Sequence, residues 1–132
     1  MLRILAGTIR AIHGFHAAEA AIPELLRQIA QSGAGSFLAV LKTLGPRRSP
    51  GMLSFPMEGA TLALDFPNRG PATLALLARL DAVVSEAGGR LYAAKDGRMP
   101  AAMFQAGYPE WQHFKAHVDP RFCSDFWRRV SA

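Results

Sequence analysis

Apolar residues recur at helical spacing in residues 20–35. Four of them fall three or four positions apart and so share one face of a helix: Ile22, Leu25, Leu26 and Ile29. Pro23 suits the first turn of a helix, where its missing N–H is not needed. Gly33 suits the position just past a helix end. The pattern therefore predicts a helix that begins near Pro23 and ends at Ser32-Gly33.

A second stretch of helical spacing covers residues 71–89. Pro71 stands where a helix would open, and Gly88-Gly89 stands where it would end. We predict a helix here that packs one face on a sheet. That face is apolar and consists of Leu76, Leu77, Leu80, Val83, Val84 and Ala87.

Four further stretches indicate strands. Residues 36–45 and 51–57 are short apolar runs, residues 60–67 alternate, and residues 90–93 read RLYA. Because side chains alternate along a strand, the third stretch has two distinct faces. Leu62, Leu64 and Phe66 share one face, and Thr61, Ala63 and Asp65 share the other.

The order of these elements indicates the fold class. Helix, strand, strand, strand, helix and strand, joined by glycine turns, predict an α+β fold with a mixed or antiparallel sheet and both helices on one face. Residues 1–16 are a lead-in with no assigned element, and residues 17–95 form the sheet-and-helix unit. Residues 96–132 form a C-terminal segment of short helices, rich in aromatic rings that need a surface to pack on.

Length and composition fit one domain. The 132 residues are half apolar, which is enough for a hydrophobic core. No run approaches the roughly 20 apolar residues of a membrane span, and we expect no signal peptide in the first 16 residues. The single cysteine, Cys123, excludes an internal disulfide and fits a reducing compartment.

The formal charge of +5 raises the question of a nucleic-acid partner. The arginines are scattered along the chain, however, and no basic stripe or aromatic RNA-binding motif is present. Anionic small molecules or a protein partner suit this charge as well, and we expect no nucleic-acid binding.

Lys42 closes the otherwise apolar run FLAVLK. It is either a solvated strand end or, if that end opens on a cavity, a fixed cation for an anionic or hydroxylated ligand. The small and polar face of Thr61, Ala63 and Asp65 is either exposed to solvent or the wall of a pocket. The pattern leaves both alternatives open.

Tyr92 and Lys95 follow the last predicted strand, and Asp96-Gly97 comes next. One interpretation is an amphipathic strand end followed by a turn. The other is chemical: a phenol and an ammonium at a sheet edge can hold a polar ring and stabilise negative charge that develops on it.

Histidines and the cysteine offer weaker candidates. His113 and His117 are four residues apart and could share a zinc ion on a helix, but no third ligand has suitable spacing. We expect a surface pair, no metal site, and a structural role for Cys123.

Four stretches together carry a resemblance, in their order along the chain: SFLAVLKTLG, GMLSFPMEGATLALDFPNRG, AGGRLYAAKDGRM and YPEW…DPRFCSDFWRRV. They resemble the C-terminal part of the FAD-dependent sugar and sugar-lactone oxidoreductases of the vanillyl-alcohol-oxidase superfamily. That family includes decaprenylphosphoryl-ribose oxidases and D-arabinono-1,4-lactone oxidase-like aldonolactone oxidases. The resemblance covers residues 19–132.

The resemblance implies a role for five residues. Tyr92 and Lys95 match a tyrosine and a lysine that serve catalysis and hold FAD, where the lysine favours the anionic reduced flavin. Lys42, Thr61 and Ala63 match positions that line the substrate pocket. Residues 17–95 would then be a partial substrate (cap) domain, and residues 96–132 would pack on an FAD-binding domain.

The chain also departs from the family pattern. Decaprenylphosphoryl-ribose oxidases carry a cysteine at the position of Ala63, an asparagine at that of Thr61 and an aromatic ring at that of Leu44. The resemblance therefore implies a generic sugar or sugar-lactone substrate. No glycine-rich phosphate loop occurs in the 132 residues, so the main FAD-binding domain is expected to come from elsewhere.

These observations lead to two expected functions. The first is the substrate-side C-terminal portion of an FAD-dependent oxidoreductase, a fragment that is inactive alone. The second is a non-catalytic interaction module that docks on a separate flavin-binding chain. We expect a cytoplasmic location, with peripheral membrane association left open and no membrane-spanning segment.

Overall fold

The computed structural model describes residues 5–36, 38–95 and 97–132. In this part of the chain four strands form one antiparallel sheet in the order β2-β3-β1-β4. The strands are β1 (Leu5–His13), β2 (Leu38–Leu44), β3 (Gly59–Pro67) and β4 (Arg90–Leu91). The α+β class predicted from the sequence is confirmed, and the sheet is antiparallel rather than mixed.

Two long helices connect the strands. Helix α1 (Phe15–Gln31) follows β1, and helix α2 (Pro71–Glu86) follows β3, so the elements alternate as β-α-β-β-α-β. With the observed strand order, this is the ferredoxin-like arrangement. Pro71 opens α2 as predicted, and Gly88 ends it with a left-handed φ of 65°.

Both helices lie on the same face of the sheet, as the sequence predicted. The alternation of β3 determines this, because Leu62, Leu64 and Phe66 point into the core between sheet and helices. Helix α1 contributes Leu25 and α2 contributes Leu80, both fully buried. We call the other side of the sheet the open face.

The N-terminal residues were not assigned an element in the sequence analysis, and the structure corrects this. Residues Leu5–His13 form β1, a central strand paired with β3 on one side and β4 on the other. The pattern was missed because Arg10, a charged residue, occupies a fully buried position on the helix-covered face. A charge at a core position hides the alternation that identifies a strand.

Three other sequence predictions were wrong in detail. Residues 51–57 form no strand, because Ser54 N–H donates to Gly51 O at 3.1 Å and closes a turn there. Helix α1 begins at Phe15, so Pro23 lies inside the helix and not in its first turn. The fourth strand is also shorter than predicted, since Ala93–Lys95 form a 3₁₀ turn directly after it.

The C-terminal segment forms three short helices and a second hydrophobic cluster. The helices are α3 (Ala101–Gly107), α4 (Trp111–Lys115) and α5 (Asp125–Val130), with a 3₁₀ turn at Pro120–Phe122. They pack on β4, which supplies Leu91. Most of the aromatic rings thus find a surface on this chain itself, whereas Phe122 is 84% exposed. The C-terminal cluster, as we call it, consists of Leu91, Met99, Phe104, Tyr108, Trp127 and Val130.

Candidate functional site

Four residues from four strands form one row on the open face. Lys42 is the register partner of Thr61, Thr61 is the partner of Ala11, and Ala11 is the partner of Arg90. Directly opposed residues in antiparallel strands point to the same side of the sheet. Three strand spacings separate the two ends of the row, or about 14 Å. We call this set the Thr61 row.

The loop of residues 45–58 crosses the open face at one end of the sheet. It leaves β2 at one edge, yet its middle contacts β4 at the opposite edge. Arg90 Nη1 donates a hydrogen bond to Ser54 O at 3.0 Å, and the Phe55 and Tyr92 ring centroids are 5.0 Å apart. The loop then returns to β3. We call residues 45–58 the crossing loop.

The open face is not uniformly solvated. Thr61 is only 6% exposed although no helix covers it, while Ala63 and Asp65 on the same strand are half-buried. The sequence left two alternatives for this face, solvent exposure and the wall of a pocket. The burial of Thr61 instead fits the alternative, a wall that is partly covered.

Lys42, Thr61 and Ala63 are brought together by the register. Lys42 is exposed next to Thr61, and Ala63 is the partner of Val40, two residues before Lys42 on the same strand. All three therefore share the open face near the β2 edge. The structure gives these residues a common location, and their role in substrate binding stays a prediction.

Tyr92 and Lys95 lie at the other edge, after β4. Tyr92 is half-buried against Phe55, and its backbone O accepts a hydrogen bond from Lys95 N–H at 3.2 Å. Lys95 ends the 3₁₀ turn with an exposed side chain. The short turn thus carries both residues beyond the sheet edge. Asp96, which the sequence analysis placed in the following turn, lies outside the described residues.

A cavity of about 510 Å³ opens between the crossing loop and the end of the sheet. It does not include the five residues proposed from the resemblance. Its lining is polar and contains His13, Arg47, Arg48, Glu58, Arg90 and Glu110. Arg90 was noted in the sequence only as one of several scattered cations.

Arg10, Asp81 and Arg98 form a buried ionic cluster that was not predicted from the sequence. Asp81 on α2 accepts a hydrogen bond from Arg10 Nη2 at 2.9 Å through Oδ1, and its Oδ2 lies 2.5 Å from Arg98 Nη1. The cluster links the central strand β1, helix α2 and the segment just after Lys95. A signal was present, because Asp81 stands four residues after Leu77 and three before Val84, on the apolar face of α2.

Of the weaker candidates, His113 and His117 are exposed and Cys123 is partly buried. His113 Nδ1 lies 2.6 Å from Glu110 Oε2, so its partner is Glu110. Cys123 is a half-buried free thiol. In residues 5–36, 38–95 and 97–132, no group of three or more His, Cys, Asp or Glu side chains is placed to hold a metal ion.

A helix that crosses a bilayer must be both long and apolar. None of the described helices has both the length and the apolar character that crossing a membrane demands.

Comparison with known proteins finds no matching family model. A Streptomyces coelicolor protein described as an uncharacterized protein in the mprA 5′ region is 38% identical over 120 residues, covering 87% of this chain and 32% of that protein. Decaprenylphosphoryl-beta-D-ribose oxidase of Mycolicibacterium smegmatis is 42% identical over 112 residues, covering 80% of this chain and 24% of the oxidase.

The chain therefore spans about a quarter to a third of the length of the curated relatives it matches. It is homologous to a part of an oxidase, which supports the resemblance at a coarse level. The substrate, the cofactor and the residue roles are matters for proposal.

Proposed function

We propose that this chain is the substrate-side portion of an FAD-dependent oxidoreductase that acts on a sugar or sugar-lactone hydroxyl. The observation that carries the proposal is the open face, where Lys42 and Thr61 lie at one edge and Tyr92 at the other. The partial match to an oxidase supports the reaction class.

The residues have chemistry that suits such a role. The Lys95 ammonium is exposed and carries three N–H donors, which can bind a sugar hydroxyl or a carbonyl oxygen of a flavin ring. Tyr92 offers a phenol whose ring is fixed by Phe55. A bound flavin would supply hydride acceptance. Lys95 would stabilise the negative charge that develops, while Lys42 and Thr61 would orient the substrate.

The substrate remains generic in this proposal. The relative from Mycolicibacterium smegmatis is named for a decaprenylphosphoryl ribose. In this chain, Thr61 and Ala63 stand at the two wall positions where, by the resemblance, decaprenylphosphoryl-ribose oxidases carry asparagine and cysteine. A smaller and less polar wall favours a different sugar or a lactone.

The test is a chimera in which this chain replaces its matched segment, 24% of the Mycolicibacterium smegmatis oxidase. We expect the chimera to bind FAD and to reduce an artificial electron acceptor with a sugar or sugar-lactone donor. Lys95→Met should lower kcat at least tenfold, whereas Arg79→Gln, on the exposed side of α2, should not change it. Full activity of Lys95→Met would reject the assigned role.

The isolated chain provides the second arm of this test. We expect it to show no flavin absorbance after purification and no turnover with added FAD, since no glycine-rich phosphate loop occurs in its sequence. Stoichiometric FAD in the purified chain, with sugar-dependent reduction, would contradict the proposed inactivity.

One observation favours the alternative function, a module that docks on a separate flavin-binding chain. Strand β2 is an edge strand whose two faces are both exposed, with Leu38 at 51% and Leu41 at 57%. Exposed apolar edges of this kind pair readily with another chain. A flavin-binding protein that co-purifies with the wild-type chain, but not with Leu41→Lys, would support this function over catalysis within one polypeptide.

A further inference from the structure

The cavity beneath the crossing loop has an excess of cationic side chains. Its lining includes three arginines, Arg47, Arg48 and Arg90, together with His13. Two carboxylates, Glu58 and Glu110, line it as well. Glu110 lies 2.6 Å from His113, so its charge has a partner of its own when His113 is protonated.

Arg90 is the least solvated of these cations. It lies at the β4 end of the Thr61 row, where its guanidinium packs 5.2 Å from the centre of the Tyr108 ring. Nη1 donates to Ser54 O at 3.0 Å. Nε is buried and has no hydrogen-bond partner in the described part of the chain.

The charge of Arg90 is therefore poorly compensated. Burial lowers the pKa of its guanidinium, because desolvation disfavours the charged form. No ion pair between Arg90 and a carboxylate is found within the described ranges, although Glu58 and Glu110 line the same cavity. A half-buried cation without a counter-charge costs free energy that an anionic ligand would offset.

We propose that this cavity binds a phosphate-type oxyanion, with Arg90 at its base and Arg47 and Arg48 at its mouth. The planar donor fork of a guanidinium matches two oxygens of a phosphate at once. The volume of about 510 Å³ exceeds what a phosphate needs and leaves room for the molecule that carries it. The oxyanion is either free inorganic phosphate or the phosphate ester of a sugar or nucleotide.

This site is distinct from the residues of the proposed oxidoreductase function. Lys42, Thr61, Ala63, Tyr92 and Lys95 do not line the cavity. Phosphate binding can be measured on this chain without flavin, so failure of the two proposals can be told apart.

The experiment is a titration of the ¹⁵N-labelled chain with sodium phosphate, followed through the arginine Nε–H signals at constant ionic strength. Parallel titrations use ribose 5-phosphate and AMP. We expect the Arg90 signal to shift and saturate. Tighter binding of either ester would assign the site to a phosphorylated metabolite, and equal affinities would assign it to the phosphate group itself.

Three variants and one control complete the design. Replacing both mouth arginines in Arg47→Gln/Arg48→Gln should weaken phosphate binding about tenfold or more. Arg90→Lys retains the positive charge but loses the planar pair of guanidinium donors, and it should also weaken phosphate binding. Glu58→Gln removes a competing anion and should tighten binding roughly twofold. Arg79→Gln removes one positive charge away from the cavity, half the charge change of the double variant, and should leave binding unchanged.

Arg90 also packs on Tyr108, so its replacement tests folding as well as binding. Arg47 and Arg48 are both exposed, so the double variant tests binding without a change in folding. Shifts that grow linearly without saturation would overturn the proposal, as would equal weakening by Arg79→Gln and the double variant. Either result would mean general attraction of anions to a basic chain.

Discussion

The two edges of the sheet differ in a way that strand length alone would not suggest. Strand β2 has seven residues and β4 has two. Leu41 and Leu91 nevertheless lie in the same row, which runs from Leu41 through Leu62 and Arg10 to Leu91. Leu41 is 57% exposed and Leu91 is 1% exposed.

The difference arises from what lies beyond each edge. The C-terminal helices pack on β4 and bury Leu91 in their cluster. Helix α1 and helix α2 cover β3 and β1 but leave Leu41 at the margin. A short strand thus becomes a stable part of the fold through tertiary contacts, whereas a long strand with good β propensity is left with an unpaired edge.

The ionic cluster in the centre of this row should give the largest effect. Asp81→Asn removes a buried charge that pairs with both Arg10 and Arg98, and we expect the free energy of unfolding to fall by roughly 3–5 kcal/mol. Chemical denaturation measures this. Glu86→Gln, at the exposed end of the same helix, is the control and should change stability by no more than about 0.5 kcal/mol. Equal effects at both positions would contradict a buried network.

The two leucines at the ends of the row provide a matched pair. Leu91→Ala should cost roughly 2–5 kcal/mol, because it opens a cavity in the C-terminal cluster. Leu41→Ala, with most of its side chain in solvent, should change stability by about 0.5 kcal/mol or less. Thermal melts of both variants measure these changes in stability. A large loss of stability for Leu41→Ala would indicate that the β2 edge is covered in solution.

Glycines next to the two edges should differ as well. A Cβ on Gly89 would lie 2.3 Å from Ala11 O and 2.8 Å from Val84 Cγ1, so Gly89→Ala should destabilise by roughly 1–3 kcal/mol. Gly45 follows β2 directly, and a Cβ there would meet nothing within 4 Å. Gly45→Ala should cause no loss. If both were tolerated, β4 would not be held as close to β1 as described.

The smallest effect concerns an exposed carboxylate. Hydrogen bonds from Arg27 and then Gln28 lower the pKa of Glu24 from 4.5 to about 2. Because the folded pKa is depressed, this group stabilises the fold above pH 4.5 and loses that contribution as the pH falls towards 2. An NMR titration of the Glu24 carboxyl carbon measures the pKa, and Arg27→Gln should raise it. An unchanged pKa in that variant would contradict the assigned cause.

The sequence predicted the parts of the fold in which local pattern and tertiary burial agree. The alternation of residues 60–67 predicted both faces of β3, and Pro71 with Gly88-Gly89 predicted the limits of α2. Strand β1 was not predicted because Arg10 is a charged residue at a core position. It can be buried there because it pairs with Asp81, 71 residues away in the sequence. Such a pairing is a property of the fold: Asp81 stands out on the apolar face of α2, but no residue near Arg10 in the sequence identifies Asp81 as its partner.

The candidate site was predictable to a similar extent. Lys42, Thr61 and Ala63 could be placed on strands from their spacing, and the register then places them on one face. The crossing loop could not be anticipated, since residues 51–57 have the apolar composition of a strand. Its contacts with Arg90 and Tyr92 depend on the position of β4.

The distribution of the two tryptophans has a practical consequence. Trp127 belongs to the C-terminal cluster and Trp111 packs against it, so the chain's intrinsic indole fluorescence arises entirely on that side of the molecule. Emission will therefore report the environment of α3–α5 and stay silent about the packing of α1 and α2 on the sheet. Circular dichroism follows all the helices, and coincident curves from the two probes would mean that both hydrophobic clusters unfold as one cooperative unit.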